Sequence, residues 1–284
     1  MELIISDVIS KLNRSVETNQ FLLKSFKQIK SLEADPIKNV YGISSTIDAI
    51  KSKLTQSSEF VNGKKTIDEW LNAYTVTIES NKKQLHDSFG RALESFIKAK
   101  NIELKGQFPE LKAGIFTIEV DFNLGNCQLW YGPRQELLLK TKLDPEEVSH
   151  KIESLMVQLN APINESSLIQ QLHTAYLNII RKQNRQEGER AEIIQILNEL
   201  ALIRQDNRFH INPLKEYYKE YTRAQFSYDL FRINKNALGT KSLVLVGAVR
   251  MDAVSRTGFI WVPSDEKGNG SSFGYLYFKE AANG

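Results

Sequence analysis

Glu119 and Asp121, two residues apart, with Lys140 further along, come nearest in this sequence to a catalytic constellation. Carboxylate oxygens can hold a divalent cation, and the cation can turn a bound water into a nucleophile for phosphodiester cleavage. The two acids lie in a run, 115–122, whose side chains alternate. Ile115, Thr117, Glu119 and Asp121 share one strand face, and Phe116, Ile118, Val120 and Phe122 share the other. A metal-dependent nuclease needs an acid on one strand, then an acid and a lysine two apart on the next. The next strand offers Gln128 and Trp130 instead. Lys140 follows Glu136 by four residues, a spacing that puts both on one strand face but sets the lysine one pair too far along. The simpler reading is the wet face of a half-solvated sheet, with Glu119 and Asp121 paired across strands to Lys140 or Lys142. A nuclease or hydrolase built on Glu119, Asp121 and Lys140 is the alternative.

Other catalytic signatures are missing. The sequence contains no GxxxxGK[ST], no HExxH and no GxGxxG. His86, His150, His173 and His210 are scattered through helical segments without ligand spacing. The single cysteine, Cys127, excludes an intramolecular disulfide and a multi-cysteine zinc site, and beside a turn it reads as a small hydrophobe. The expectation is therefore no cofactor and no metal.

A second kind of chemistry is carried by charge. Between 103 and 153 nine acids stand against six Lys or Arg, a net of −3; between 215 and 256 eight Lys or Arg stand against four acids, a net of +4. The basic stretch holds Lys215, Lys219, Arg223, Arg232, Lys235 and Arg250, with Tyr217, Tyr218, Tyr221, Phe226, Tyr228 and Phe231 among them. Basic groups neutralise phosphates and aromatic rings stack on bases, so these six residues are the candidate nucleic-acid contacts. The competing reading is a solvated helix face followed by core aromatics. The formal net charge of the whole chain, +3, is too small to imply nucleic acid by itself.

The elements that must position these residues follow from periodicity. Apolar residues recur at three- and four-residue steps over 3–32, which predicts a helix that Asp35-Pro36 ends. A second helix is predicted over 44–60, with Asn62-Gly63 as its stop. A third, about thirty residues long, starts at Thr66 with Glu69 completing a capping box. The period then shifts to two. Strands are predicted at 115–122, 127–131 and 136–141, a small meander. Asp144-Pro145-Glu146-Glu147 opens further helices at 146–159, 165–182 and 189–204, and Asn212-Pro213 opens one at 214–224. From 225 the pattern is again strand-like: FSYDLFRI, SLVLVGAVRM, GFIWVP and YLYF, with GNGSSFG as a loop. The helices on either side of Gly188, followed by an extended DNRFHINP, fit either a helix-turn-helix or winged-helix unit or two further bundle helices.

These readings predict an α+β protein: a helical, coiled-coil-like arm over 1–105, a β-meander over 106–143, a helical part with a possible winged-helix unit over 144–224, and a β-rich C-terminal cap over 225–284. The start of the chain lacks the charged and apolar regions of a signal peptide, and the longest apolar run, 243–249, is too short for a bilayer; a cytoplasmic protein without membrane contact is expected. The functional expectation is a non-enzymatic accessory subunit of a larger assembly. It would bind a protein partner, or itself, through residues 1–105, and DNA through its mildly basic C-terminal half. A metal-dependent enzyme and a purely structural coiled-coil protein are the alternatives.

Overall fold

The computed structural model describes residues 2–57, 63–235, 238–248 and 258–280. The expected end of the second helix near Phe60, the Asn62 stop and the candidate contact Arg250 lie outside the described residues. The fold is α+β, with a helical N-terminal region followed by antiparallel sheets. The chain forms two compact units, one made of 1–93, 121–125 and 143–145, the other of 94–120, 126–142 and 146–284.

The first unit is built on α1 (Glu2–Leu32), α2 (Val40–Ser57) and most of α3 (Lys64–Lys98). One row of α1, Thr18, Leu22, Ser25 and Ile29, is buried, as are Val40, Ile43, Ile47, Ile50 and Leu54 of α2 and Leu71, Ile78, Leu85, Phe89 and Leu93 of α3. These rows follow the helical period; in α2 and α3 they are the apolar stripes read from the sequence, whereas in α1 the buried row takes in Thr18 and Ser25 and most of the apolar stripe is exposed. Two boundaries differ from expectation. The second helix begins at Val40 rather than Ser44, taking in Gly42, because the turn after Asp35-Pro36 is closed by the Asp35 carboxylate, which accepts the Lys38 N–H at 3.0 Å. The third begins at Lys64, so Thr66 lies inside the first turn and does not cap it. Phe26 meets Trp70 edge-on at 5.2 Å, Trp70 stacks on Tyr74 at 4.7 Å, and the Tyr74 hydroxyl donates to Glu33 at 2.7 Å. Burial and this bond raise the Tyr74 hydroxyl to about 12.

The second unit opens with a meander of five antiparallel strands in sequence order: β1 (Leu104–Gln107), β2 (Glu110–Ala113), β3 (Phe116–Asp121), β4 (Asn126–Tyr131) and β5 (Glu136–Lys142). The last three were legible by alternation. The first two are four residues each and interrupted by Gly106 and Pro109, which hides their period. A bulge between Leu129 and Trp130 of β4 changes the phase of β5: Lys140 pairs with Gln128, while Glu136 pairs with Tyr131. Cross-strand partners point to the same side, so the bulge sends Glu136 and Lys140 to opposite faces, against the expectation from their spacing.

The rest of this unit joins helices to a second sheet. The helices are α4 (Pro145–Leu159), α5 (Glu165–Lys182), α6 (Ile193–Ile203), α7 (Asn207–Ile211) and α8 (Arg223–Arg232). The strands are β6 (Ala191–Glu192), β7 (Lys241–Gly247), β8 (Ile260–Pro263) and β9 (Gly270–Glu280), in the order β6-β9-β7 with β8 also on β9. β7 runs along one edge of β9, and β6 and β8 share the other, so Phe273 registers with Gly247 on one side and Ile260 on the other. Leu172, Tyr176, Ile196, Leu200, Phe226, Leu276 and Phe278 lie in one buried core to which α5, α6, α8 and these strands contribute. Five expectations are corrected. The helix placed at 189–204 starts only at Ile193, because Ala191 and Glu192 pair with Leu276 and Tyr275. The extended piece after 204 contains α7, capped by the Asp206 carboxylate. The stretch 214–224 is open chain around one 3-10 turn at Lys215–Tyr217. FSYDLFRI is helical, because Thr222 caps α8 by accepting from the Gln225 N–H, and Phe226, Ser227, Tyr228, Asp229 and Leu230 are all buried. The alternation of apolar and polar residues suggests a strand with one wet face, but the polar Ser227 and Asp229 are buried with their neighbours, so that alternation marks no solvent side. Lastly, most of the expected GNGSSFG loop is the first half of β9.

Candidate functional site

Glu119 and Asp121 are each engaged by their surroundings. Glu119 accepts from the Trp130 indole N–H at 3.1 Å and pairs with Arg134 at 3.2 Å; Arg134 also reaches Glu110 at 3.1 Å. Asp121 accepts the backbone N–H groups of Asn123 (2.8 Å) and Leu124 (2.9 Å), closing the turn after β3. The expected cross-strand partners Lys140 and Lys142 are not the ones that Glu119 takes. The residue that answers it is Arg134, which sits in the β4–β5 turn at a φ of +58° and could not have been read from strand alternation. Among the described residues no three His, Cys, Asp or Glu are grouped so as to hold a metal ion. Cys127 is buried, and burial pushes its thiol up to about 12, which disfavours the nucleophilic thiolate.

The candidate nucleic-acid residues fall into two groups. Arg223 and Arg232 belong to α8, all of whose residues are buried or half-buried. The Arg223 guanidinium donates to the Phe259 carbonyl, and burial lowers its pKa against the opposing pull of Glu136. Arg232 pairs with the buried Asp229 at 2.8 Å, donates to the Ala161 carbonyl at 3.0 Å and lies over the Tyr228 ring. Asp229 in turn accepts from Tyr221 at 2.8 Å and Gln225 at 2.9 Å, so Arg232 completes an internal network around the buried carboxylate. The start of α8 is held by Glu136, whose carboxylate accepts the Ala224 N–H at 2.6 Å; burial raises the pKa of this acid. Tyr131 meets Ser227 hydroxyl to hydroxyl at 2.9 Å. These contacts occupy the faces of α8 that a groove-reading helix would have to present.

Lys215, Lys219 and Lys235 are exposed. The first two stand on the open segment between α6 and α8. There Lys219 approaches Asp206 at 3.5 Å beside Arg208 at 3.1 Å, Arg208 lies over the Tyr217 ring, and Phe209 packs against Tyr218. Leu202, Ile211, Leu214 and Tyr218 are exposed on or next to this segment. Gln205 anchors the segment by donating to the Lys219 carbonyl and accepting the Lys219 N–H.

The hairpin β8–β9 is packed against the meander. Trp261 lies edge-on to Tyr131 at 5.6 Å, and its backbone N–H donates to Gln135. At the hairpin tip Gly268 comes so close to Gly114 that a Cβ there would sit 2.2 Å from the Gly114 carbonyl oxygen. The tip is thereby seated on the β2–β3 turn.

In the arm, α1 carries a second apolar row that its unit does not bury. Ile5, Ile9, Leu12, Val16 and Leu23 are 53% to 60% exposed. No family model matches this chain, nor does any curated protein or solved structure. No helix among the described residues is long and apolar enough to cross a membrane.

Proposed function

We propose that this chain is a non-enzymatic accessory subunit of a larger assembly and that it docks a partner through its helical arm. The observation that carries the reading is the exposed aliphatic row of α1. Residues 5–14 are exposed all round, and a helix without packing on any face is marginal in water unless something covers its apolar side. The engaged state of Glu119 and Asp121 supports a structural role for them over a catalytic one. The connectivity α5-β6-α6-α8-β7-β9, with β9 between β6 and β7, resembles a winged-helix unit. Its would-be reading helix, α8, is covered from within, which favours protein contact over groove reading. The test is isolation of the native assembly with the full chain and with an Ile9→Glu, Leu12→Glu variant. The reading expects other polypeptides to stay with the first and leave the second; a chain recovered alone and monomeric in both forms would refute it.

A second reading, contact with nucleic acid, rests on the exposed segment 206–220, where Arg208, Lys215 and Lys219 stand among Phe209, Tyr217 and Tyr218. Such a surface would hold phosphates and stack bases without reading sequence.

A further inference from the structure

We propose that α1 forms a parallel two-stranded coiled coil with a second copy of this chain, which names the partner that the arm-docking reading requires and rests on it. Ile5, Ile9, Leu12, Val16, Asn19 and Leu23 follow one another at alternating steps of four and three residues. That is a heptad seam, offset from the row Thr18, Leu22, Ser25 and Ile29 that the bundle already buries. The seam ends at Phe26, the next position in the series, which packs on Trp70.

Three features point to a second copy. In heptad terms Ile9, Val16 and Leu23 take the first seam position and Ile5, Leu12 and Asn19 the second; in the central heptads β-branched Ile9 and Val16 flank Leu12, the combination that favours two parallel strands. The positions flanking the seam are Ser6, Val8, Asn13, Ser15 and Gln20. None is charged, so nothing repels an identical helix, and no charge is set there to select a different chain. Covering the exposed parts of these side chains and their flanks on two copies removes on the order of 1,000 Å² from water, the lower end of what a specific pair requires. A dimer that dissociates on dilution is therefore expected. Parallel, in-register pairing also sets Asn19 against Asn19, where a slipped register would set each amide against an apolar side chain.

Sedimentation velocity of the full chain over a range of concentrations tests the proposal. The wild type should pass from monomer to dimer as concentration rises. Ile9→Glu and Leu12→Glu should each weaken the dimer by about tenfold or more, since a charge is placed in the seam. Both residues are exposed, so at concentrations where the wild type is monomeric the variants should melt at the wild-type temperature. Orientation is tested with Leu12→Cys under a mild oxidant. Cys127 is buried, so a disulfide-linked dimer formed by the variant and not by the wild type reports two residues 12 face to face. A wild type that stays monomeric throughout, or a dimer indifferent to both glutamates, would overturn the proposal. A dimer that forms but does not cross-link through position 12 would overturn the parallel register. A monomeric chain whose native assembly is nevertheless lost on Leu12→Glu would refute self-pairing and leave the accessory-subunit reading standing.

Discussion

The indole of Trp261 occupies the space that a side chain on Gly132 would need: a Cβ at Gly132 would lie 2.5 Å from a carbon of the ring. Gly132 also holds a φ of +56°, a conformation costly for other residues, so the β4–β5 turn requires glycine twice over. Trp261→Ala should cost about 3–5 kcal/mol of stability, as aromatic truncations in cores do. Gly132→Ala should cost about 1–3 kcal/mol in the wild type. In the Trp261→Ala background the same change should cost less, because only the backbone strain remains. Urea unfolding of the four proteins gives the coupling; strict additivity would mean that the ring and the glycine do not constrain one another.

Glu119→Gln combined with Asp121→Asn tests the carboxylates. Glu119 is held by Arg134 and Trp130 at a partly exposed edge, where an ion pair contributes little. The double variant should melt within a few degrees of the wild type and keep whatever activity the chain shows. Loss of a metal-dependent hydrolysis from a normally folded variant would restore the catalytic assignment.

Glu199 joins α6 to α5 by accepting from Lys182 at 2.6 Å and Asn178 at 2.8 Å. The Lys182 bond holds its pKa below the ordinary glutamate value of 4.5. A depressed carboxylate releases its proton more readily folded than unfolded, so its stabilising effect is complete above 4.5 and is lost as the pH falls through the folded value. Glu199→Gln should lower stability at neutral pH by about 1 kcal/mol or less, given solvent screening, and shrink the loss between pH 5 and pH 3. Melting curves of both proteins across that interval give the comparison; parallel curves would show that the pair contributes nothing.

Charge reversal separates the two groups of basic residues. Lys215→Glu with Lys219→Glu changes an exposed segment, so stability should stay within about 0.5 kcal/mol while any binding of DNA weakens and its salt slope falls. Arg232→Glu should instead unfold the protein more readily, by about 3–5 kcal/mol, because it leaves the buried Asp229 uncompensated. Filter binding with duplex and single-stranded DNA at low and moderate salt reads the first effect, and melting the second. Absence of binding by the wild type at low salt would end the nucleic-acid reading.

By itself the sequence determined whatever depends on local periodicity. The stripes of α1 and α3, the alternation of β3 and β4, and Pro145 with its following acids each carry their signal within a few consecutive residues. The exposed row of α1 was also written there, as more apolar positions than one helix face can bury. Only the tertiary structure decided the rest. The bulge at Leu138, which leaves that residue of β5 without a partner on β4, follows from how two strands fit, and it alone sends Glu136 to cap α8 while Lys140 faces the other way. The fate of FSYDLFRI was settled by burial of its polar residues with its apolar ones, so its alternation marks no solvent side. Arg223 and Arg232 read as free cations because sequence shows charge but not the carbonyls and carboxylates that meet it. Phe259 and Ala161 are brought to them across 36 and 71 positions of chain, and Asp229 by the turn of α8. Such pairings follow from the packing of whole elements, and no local pattern in the chain encodes them.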